Sequence, residues 1–487
     1  TIVVGLIIIL ILQFIYKQHR IDKQLKGFVS PPGLPLLRHF FFFSSQLTFI
    51  PNLLATSKKY GERLKLDVFY GMSILFVTDK DLVSHILNTK QMLVKDAFYD
   101  LTKTCFGDGL VSCVPSKWKK TRKLLNPVFN VQVLERYVKS FETPVSILIK
   151  KLKTEIDAHG FDVLPYLNLC TLDIICETVM DITLNAQEGG NSQYVKDIHE
   201  ATEIIIRRLF SPIKRFPLTY RLTKDYKTEQ QIAERCWRLT QKVIDDRRKA
   251  KASSGTNVMA VDDNDKNKNV SLLSILLEAE IDGRPMTDEE IMTETSTFLF
   301  AGHDTSATAI SMCLYCLSKH EDVQEDVVKE LKAIFGNDSR SPTYKDLNEM
   351  RYLEMVVKES MRVYTSGVFI SRLMDEDISF GDVFIPKGMT VSMFLYGIHM
   401  NSNYHPDPEK FDPSRFERDM MPNSFIPFGG GPRNCIGQRF AMLEIKYLVA
   451  QILRNYKIVE VIGHVPQRVA AVILRFKNGI MIKLRRR

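Results

Sequence analysis

The chain has 487 residues, of which 45% are hydrophobic and 25% charged, so it can bury a large core and is excluded from the disordered class. A total of 66 Lys and Arg against 57 Asp and Glu leaves a net charge of +9, which suits an anionic membrane or an acidic protein partner. The sequence contains no recognised nucleic-acid-binding module, so we expect no nucleic acid among its partners.

The N-terminus has the composition of a membrane anchor. Residues 1–16 are apolar except for Thr1 and Gln13, and several basic residues follow directly. We predict an uncleaved anchor in residues 1–20, with its basic flank on the cytoplasmic side. The two alternatives are a cleaved signal peptide, which lacks its small-residue cleavage site here, and a buried helix, which lacks a polar face.

A basic, proline-rich stretch over residues 21–36 separates this anchor from the rest of the chain. Pro31, Pro32 and Pro35 fix the φ angle and remove N–H donors, so the membrane helix cannot continue through them. We expect a stiff hinge over residues 21–36 and one main domain over residues 37–487.

The main domain is predicted to be mainly α with a smaller β portion. Residues 64–77 contain strand-like stretches, and most of residues 131–244 show helical periodicity. A polar run over residues 251–268 predicts a mobile loop. Thr287 and Glu290 then form a capping box, from which a long helix should extend to about Ser318. Glycine and proline over residues 378–400 predict short strands and turns.

The eight cysteines are scattered without a disulfide framework, which indicates reduced thiols in the cytosol. Cys313 and Cys316 spell C-x-x-C, but they lie in an apolar run with helical character. Because no second pair of metal ligands accompanies them, we predict that both are buried core residues.

The sharpest pattern in the chain surrounds Cys435. Its ten residues are Phe428-Gly429-Gly430-Gly431-Pro432-Arg433-Asn434-Cys435-Ile436-Gly437. A helical pattern follows, and backbone N–H groups at a helix start can donate to the sulfur and stabilise the thiolate that binds iron. The glycines permit left-handed turns and close approach of the main chain to a flat macrocycle, and Phe428 can cover the sulfur.

This stretch resembles the F-x-x-G-x-R-x-C-x-G signature of the cytochrome P-450 superfamily at every fixed position. The resemblance implies non-covalent haem b, with Cys435 as the iron ligand and Phe428 and Gly437 among the residues around the cofactor. A thiolate ligand pushes electron density towards iron and favours cleavage of the O–O bond. The alternative is a Gly-rich turn around a buried cysteine, which would require the other motifs of the family to be absent.

The other motifs of the family are present, and the first of them is the charge triad. Glu359 and Arg362 stand three residues apart on a predicted helix, and Arg415 resembles the third member of the family's buried charge triad, which has a structural role.

The second motif is Ala301-Gly302-His303-Asp304-Thr305-Ser306, which resembles the oxygen-activation groove of the family. The resemblance implies that Thr305 and Asp304 are catalytic and deliver protons during oxygen activation, while the small Ala301 leaves room beside the haem. The alternative is that Thr305 only bonds to a preceding helix carbonyl.

Cations suited to the haem propionates occur at further family positions. Trp118 and Arg122 match W-x-x-x-R, Arg372 follows Arg362 by ten residues, and Arg433 lies in the cysteine loop. A guanidinium matches the two oxygens of a carboxylate, so the resemblance implies that these residues bind the cofactor.

The resemblance covers essentially the whole chain and is strongest to animal families 3, 4 and 46. Two positions depart from it. Ala301 stands where many family 4 members carry the Glu that esterifies haem, so no such link is expected. Thr365-Ser366 stands where Pro is usual, and we expect a looser turn there.

The implied fold is a triangular prism of helices that encloses the haem. The implied reaction inserts one oxygen atom from O2 into a lipophilic substrate, such as a fatty acid, steroid or xenobiotic. No nucleotide-binding G-x-G-x-x-G motif is present. Electrons should therefore come from an NADPH-cytochrome reductase, with cytochrome b5 as a further candidate donor. The expected location is the endoplasmic reticulum membrane, with the catalytic domain in the cytosol.

Two other functions use the same cysteine: a haem-thiolate isomerase or lyase, which needs no external electrons, and a haem-binding sensor, which needs no proton relay. Retention of Asp304 and Thr305 favours oxygen activation.

The segments expected to line the substrate pocket are residues 105–114, 209–222, 298–305 and 368–370. The cations around Trp118, including Lys117 and Lys120, predict a docking face for an acidic reductase, against the alternative of a solvated basic face.

Overall fold

Helices build most of the framework. The computed structural model describes residues 9, 12–13, 15–16, 19–34, 37–68, 72–89, 92–156, 158–189, 192–254 and 271–487. The α-helices are α1 (Gln46–Tyr60), α2 (Lys80–Asn88), α3 (Ala97–Asp100), α4 (Lys103–Phe106), α5 (Pro115–Leu125), α6 (Val131–Ser140), α7 (Glu142–Leu152), α8 (Leu164–Ile175), α9 (Ser192–Phe210), α10 (Pro212–Arg215), α11 (Pro217–Arg221), α12 (Lys224–Ser254), α13 (Leu272–Glu278), α14 (Asp288–Lys319), α15 (Glu321–Phe335), α16 (Tyr344–Glu349), α17 (Arg351–Val363), α18 (Leu395–His399) and α19 (Gln438–Asn455).

Short strands form the smaller β portion. They are β1 (Arg63–Asp67), β2 (Ser73–Val77), β3 (Phe161–Asp162), β4 (Glu280–Ile281), β5 (Arg284–Pro285), β6 (Phe369–Leu373), β7 (Ile378–Phe380), β8 (Val383–Ile385), β9 (Thr390–Phe394), β10 (Tyr456–Glu460), β11 (Arg468–Val469), β12 (Arg475–Phe476) and β13 (Met481–Arg486). The main sheet has the order β1-β2-β9-β6, in which β2 and β9 are parallel. A second sheet has the order β10-β13-β3. The predicted mainly α fold with a smaller β portion is confirmed.

The long helix α14 lies in the middle of the domain, with other helices packed around it. Its 32 residues span about 48 Å at 1.5 Å per residue. The predicted capping box starts it: the Glu290 N–H donates to Thr287 Oγ1, and the Thr287 N–H donates to the Glu290 carboxylate. α8, α12, α17 and α19 pack around it, and Thr171 Oγ1 on α8 donates to the His303 carbonyl at 2.9 Å. This helix is therefore held on several sides.

The predicted charge triad lies in the core beside α17. Arg362 donates two hydrogen bonds of 2.8 Å to the Glu359 carboxylate, and neither side chain is exposed to solvent. Arg415 Nε lies 3.3 Å from the same carboxylate. Arg362 also donates to the His399 carbonyl at 2.9 Å, which joins α17 to α18.

The turn after α17 is not loosened by the absence of proline, contrary to our expectation. The Thr365 hydroxyl donates to the Met361 carbonyl at 2.9 Å and contacts His399 Nδ1 at 2.7 Å. His399 Nε2 accepts from the Ile426 N–H at 3.0 Å. Hydrogen bonds of the buried threonine therefore fix the turn and connect it to the chain that enters the cysteine loop.

The proline-rich stretch contacts the edge of the main sheet. The Val29 N–H donates to the Arg63 carbonyl and the Lys65 N–H donates to the Val29 carbonyl, both at 2.9 Å. His39 contacts the Pro31 carbonyl at 2.9 Å. These bonds attach the end of the predicted hinge to β1.

Two predicted segments lie mostly outside the described residues. One is the anchor in residues 1–20; within the described part of the chain, no helix is long and apolar enough to cross a membrane. The other is the loop in residues 251–268, where α12 continues helically to Ser254 and residues 255–270 are not described.

Candidate active site

The loop of Cys435 reverses the chain directly before α19. The Cys435 N–H donates to the Phe428 carbonyl at 2.9 Å, which closes the loop. Gly431 has φ +67°, and a Cβ there would lie 1.8 Å from the Leu87 carbonyl oxygen. Glycine is required at this position because the loop packs against the backbone at the end of α2.

Cys435 differs from the other cysteines in its surroundings. It is accessible to solvent, whereas the other seven cysteines are free thiols buried in the core. Burial raises the pKa of the Cys435 thiol, although the Gly437 N–H and the Arg122 guanidinium act in the opposite direction. An accessible sulfur that the surrounding protein nevertheless desolvates must open towards a cavity. The prediction that Cys313 and Cys316 are core residues is confirmed.

The residues of the predicted oxygen-activation motif lie on two faces of α14, one partly exposed and one buried. Ala301, Gly302 and Thr305 are partly exposed, whereas His303 and Asp304 are fully buried. Thr305 Oγ1 donates to the Ala301 carbonyl at 2.8 Å, which is the helical hydrogen bond of our alternative interpretation. The hydroxyl oxygen keeps acceptor positions, because one O–H donor leaves two lone pairs.

Three cations gather without a matching carboxylate. Arg372 is 1% exposed, its Nη1 donates to the Ser371 carbonyl, and its Nε has no hydrogen-bond partner. Burial lowers the pKa of Lys95, and the charges of Arg372 and Arg433 lower it further. Within the described residues, no carboxylate lies within 4 Å of the charged nitrogens of these three side chains. We call Lys95, Arg372 and Arg433 the cation cluster.

Sequence reasoning missed Lys95. It belongs to no motif, and only the packing of the segment before α3 brings it to the two arginines. The Lys95 ammonium lies 4.1 Å from the centroid of the Tyr99 ring. A weak signal existed, since the lysine stands alone between apolar residues and Asp96.

Trp118 and Arg122, the other two predicted propionate ligands, lie in different places relative to the cation cluster. The Arg433 guanidinium lies 5.2 Å from the centre of the Trp118 ring, so Trp118 adjoins the cation cluster. Arg122 donates to the carbonyl and the side-chain oxygen of Asn434, both at 2.8 Å. Arg122 therefore supports the Cys435 loop from α5 and does not join the cluster.

These residues fit haem. Haem b carries two carboxylates and an iron that accepts a thiolate. The cation cluster has the charge and the unpaired donor to neutralise the carboxylates, and Cys435 offers an accessible sulfur in a cavity. Ala301 on α14 is small and partly exposed, as the prediction of a residue beside the haem requires.

Asp304 lies behind the cavity face of α14 in an ion pair. Its two carboxylate oxygens accept from Arg475 Nη1 and Nη2 at 2.7 and 2.6 Å. Burial alone would raise the pKa of Asp304, but the charge and hydrogen bonds of Arg475 lower it below its ordinary value. Arg475 was not predicted from the sequence, because it lies 171 residues away on β12.

Two of the predicted pocket segments differ in their surroundings. Residues 105–114 lie against α14: the Phe106 and Phe300 rings stack at 3.9 Å, and Thr297 Oγ1 donates to the Phe106 carbonyl. In residues 209–222, by contrast, Leu218 and Leu222 are 78% and 87% exposed. That segment presents apolar side chains on the outside of the protein.

Comparisons with known proteins agree with this site. A family model described as Cytochrome P450 matches residues 29–481. The chain is 32% identical to "Cytochrome P450 4d2" of Drosophila melanogaster, over 88% of this chain and 87% of the relative. It is 34% identical to "Cytochrome P450 4c21" of Blattella germanica, over 94% and 92% of the two chains.

Both similarities extend over nearly the full length of the relatives, and the matched region contains the cysteine loop, the charge triad and α14. The chain therefore belongs to the cytochrome P450 family, and it is a haem-thiolate monooxygenase that uses haem b bound through a cysteine thiolate to insert one oxygen atom from O2 into a lipophilic substrate.

Proposed function

We propose that Cys435 is the cysteine that binds the haem iron and that the cation cluster, together with Trp118, binds the haem propionates. The observation that carries this proposal is the accessible Cys435 sulfur in its closed loop. Phe428 and Gly437 flank the sulfur, Ala301 leaves space on the opposite side, and Arg122 holds the loop. Bound haem supplies the chemistry that activates O2 when electrons and protons are delivered to it.

Thr305 and Asp304 are proposed to deliver those protons. Thr305 stands on the cavity face of α14, one residue after the buried carboxylate. When its hydroxyl turns away from the Ala301 carbonyl, it can donate into the cavity. Asp304 lies behind it, where a carboxylate can exchange protons with groups nearer to solvent.

Substitution of Thr305 tests this role. Thr305→Ala should still bind haem and substrate, but it should divert electrons to hydrogen peroxide because controlled proton delivery is weakened. The measured quantity is product formed per NADPH, and Thr305→Ser, which keeps the hydroxyl, is the matched control. An unchanged yield in Thr305→Ala would mean that the hydroxyl serves only the helix.

Electrons are proposed to come from NADPH through a flavoprotein reductase that docks on the basic surface of α5, with cytochrome b5 as a second donor. Lys119, Lys120 and Lys123 are exposed there. Lys120 pairs with Asp282, and the Lys117 ammonium lies 3.9 Å from the Asp108 carboxylate, so part of the predicted basic face is already neutralised. Charge reversal at Lys119 and Lys123 is therefore the more direct test of docking.

The double variant Lys119→Glu, Lys123→Glu should slow the first electron transfer at low salt, because attraction over a Debye length of roughly 10 Å at 0.1 M speeds encounter. Substrate affinity should not change. Stopped-flow reduction by the reductase measures the rate, and Lys58→Glu, Lys59→Glu on α1, which reverses the same number of exposed charges, is the control. Equal rates for the double variant and wild type at every salt concentration would contradict docking on α5.

We also propose that the protein resides at the endoplasmic reticulum membrane, with residues 1–20 as anchor, residues 21–36 as connecting stretch and residues 37–487 as the haem-thiolate domain in the cytosol. The exposed apolar residues of α11 and its surroundings support contact with lipid, since Phe216, Leu218 and Leu222 are 45%, 78% and 87% exposed. The rings of Phe43 and Phe210 join this region to the N-terminal segment. Flotation of the full chain with vesicles, compared for wild type and Leu218→Ser, Leu222→Ser, tests the contact.

The substrate is proposed to be a fatty acid, a steroid or a foreign apolar compound. Phe106 and Phe300 stack on each other at α14, and Phe369 on β6 packs against the same hydrophobic core. Binding spectra with a panel of such compounds, followed by product analysis and NADPH consumption, identify the substrate. Conversion without NADPH consumption would instead indicate an isomerase or lyase.

A further inference from the structure

A polar cluster lies behind the cavity face of α14, where three helices and a hairpin meet. Its members are Asp304 on α14, Arg475 on β12, His199 on α9 and Asn168 on α8. His199 Nε2 lies 3.9 Å from Asp304 Oδ1 and 3.2 Å from Asn168 Nδ2. The histidine is therefore within about 1 Å of hydrogen-bonding distance from the carboxylate that precedes Thr305.

Exposure increases along this cluster. The Asp304 side chain is fully buried, that of Arg475 is 10% exposed and that of His199 is 35% exposed. A surface groove of about 620 Å³, between the start of α1, α9 and the β11–β12 hairpin, has Arg475 in its wall. The cluster therefore connects the buried carboxylate with bulk water.

His199 is the member of the cluster that can carry a proton to Asp304. A guanidinium does not release its protons in the physiological range, so Arg475 fixes the carboxylate but cannot relay. Imidazole both accepts and donates a proton near neutral pH. Asn168 suits either protonation state, because Nδ2 donates to a neutral ring nitrogen, and the otherwise unpaired Oδ1 would accept from a protonated one if the amide turned over.

We propose that His199 is the solvent-side station of the proton path to Asp304, and that it acts through Asp304 as a positioning residue for the monooxygenase reaction. His199 takes a proton from water, and Nε2 passes it to Asp304 Oδ1, which leaves the imidazole neutral and the carboxyl protonated. Asp304 then gives that proton up on the cavity side of α14 and returns to its ion pair with Arg475. This inference rests on the proposed role of Asp304.

The charges that face His199 set the conditions for this transfer. Burial and the Arg475 charge lower the pKa of His199 to about 4, while Asp304 acts in the opposite direction and His303 adds to the lowering. Asn168 faces it from α8 without charge. On α12 and α10, which also pack against α9, Arg235 pairs with Asp197 and Lys214 pairs with Asp225. The resting histidine is therefore neutral at physiological pH, and it holds a proton only transiently while it passes the proton on.

One test measures the histidine directly in the haem-loaded full chain. Hydrogen–deuterium exchange at the imidazole C2 position, followed by mass spectrometry, reports the pKa of each histidine without turnover. His199 should titrate clearly below the ordinary histidine pKa of about 6.5. Asp304→Asn should lower the pKa of His199 further, and Arg475→Met should raise it by about one unit. A His199 pKa that stays the same in both variants would overturn the proposed coupling.

A second test follows the reaction. With reductase and no added substrate, NADPH oxidation by His199→Gln should fall at least about tenfold, and its ratio between H2O and D2O should increase. Glutamine can keep the contact with Asn168 but cannot exchange protons. His159→Gln is the control, and the reduced carbon monoxide spectrum verifies that each variant holds haem. Rates and isotope ratios equal to wild type would overturn the role of His199.

The two proposals fail in different ways. If Asp304→Asn oxidises NADPH like wild type, then Asp304 is not a relay, and the role of His199 falls with it. If Asp304→Asn is slow but His199→Gln is normal, Asp304 stands and protons reach it by another path. A normal isotope ratio in a slow His199→Gln variant would indicate a packing defect and would likewise overturn the inference.

Discussion

Two buried carboxylates are each held by an arginine through both of their oxygens, but their surroundings differ. Glu359 and Arg362 are both inaccessible to solvent, and Arg362 uses further donors on the carbonyls of His399 and Lys410. Asp304 and Arg475 instead adjoin the partly exposed His199 and a surface groove. The first pair is closed on all sides and the second has a route to water.

This difference separates a structural role from a chemical one. The Glu359 pair connects α17 to α18, and His399 on α18 connects onward to Ile426 before the cysteine loop. It supports the haem-side loop without contact to solvent. A carboxylate that relays protons needs a titratable neighbour that reaches solvent. His399 and His405, which lie beside the Glu359 pair, are buried, whereas His199 beside Asp304 is 35% exposed. We refer to the two sites as the Glu359 site and the Asp304 site.

The largest expected effect is at the loop that the Glu359 site supports. Cys435→Ala should abolish the long-wavelength Soret band of the reduced carbon monoxide complex, because no other accessible thiol stands in the cavity. Cys313→Ala should keep the band, since Cys313 is buried in α14. Retention of the band in Cys435→Ala would show that Cys435 is not the iron ligand.

Breaking the Glu359 site should destabilise the fold. Glu359→Gln leaves the buried Arg362 without its full charge partner, which costs about 3–5 kcal/mol when one member of a buried pair is lost. Chemical denaturation and haem content measure the loss. Glu349→Gln, on α16, serves as a control on an exposed carboxylate. A Glu359→Gln variant as stable as wild type would contradict the closed, structural character of this site.

Helix α14 provides a pH test, because its two buried carboxyls shift in opposite directions. Burial raises the pKa of Glu294 to about 7, whereas Arg475 lowers that of Asp304. The folded chain therefore holds a proton on Glu294 that the unfolded chain releases above about pH 4.3. Stability from this group is present at low pH and is lost as the pH rises through about 7.

Glu294→Gln should remove that loss, which amounts to about 4 kcal/mol at most. Denaturation of wild type and variant from pH 5 to 8 measures it, and the two curves should diverge as the pH rises. Asp304→Asn should behave in the opposite way, since its stabilising ion pair is lost as the pH falls. Parallel curves for Glu294→Gln and wild type would show that the carboxyl is not held protonated.

The smallest expected effect lies between α17 and the cysteine loop. Thr365→Val keeps the side-chain shape but removes the hydroxyl that bonds to Met361 and contacts His399, and it should cost about 1 kcal/mol. Thermal unfolding measures the change, with Thr56→Val on the exposed face of α1 as control. No difference between Thr365→Val and wild type would mean that backbone packing alone fixes the turn.

Local patterns in the sequence determined a large part of this protein. The capping box at Thr287 and Glu290 predicted the start of α14, since both partners lie within one helical turn. The cysteine loop and the pair of Glu359 and Arg362 were also readable, because their chemistry is concentrated in a few neighbouring residues. The sequence alone was sufficient for the family, the fold class and the cofactor.

Tertiary structure decided what distant residues do to one another. Lys95 joins Arg372 and Arg433 across some 280 to 340 positions of the chain, and Arg475 reaches Asp304 across 171. Thr365 was expected to loosen its turn, but His399 from α18 supplies a partner. Arg122, which is predicted to bind a propionate, bonds to Asn434 across 312 positions. A short motif carries information about its own helix or loop, whereas the partner of a buried charge is chosen by which elements pack against it.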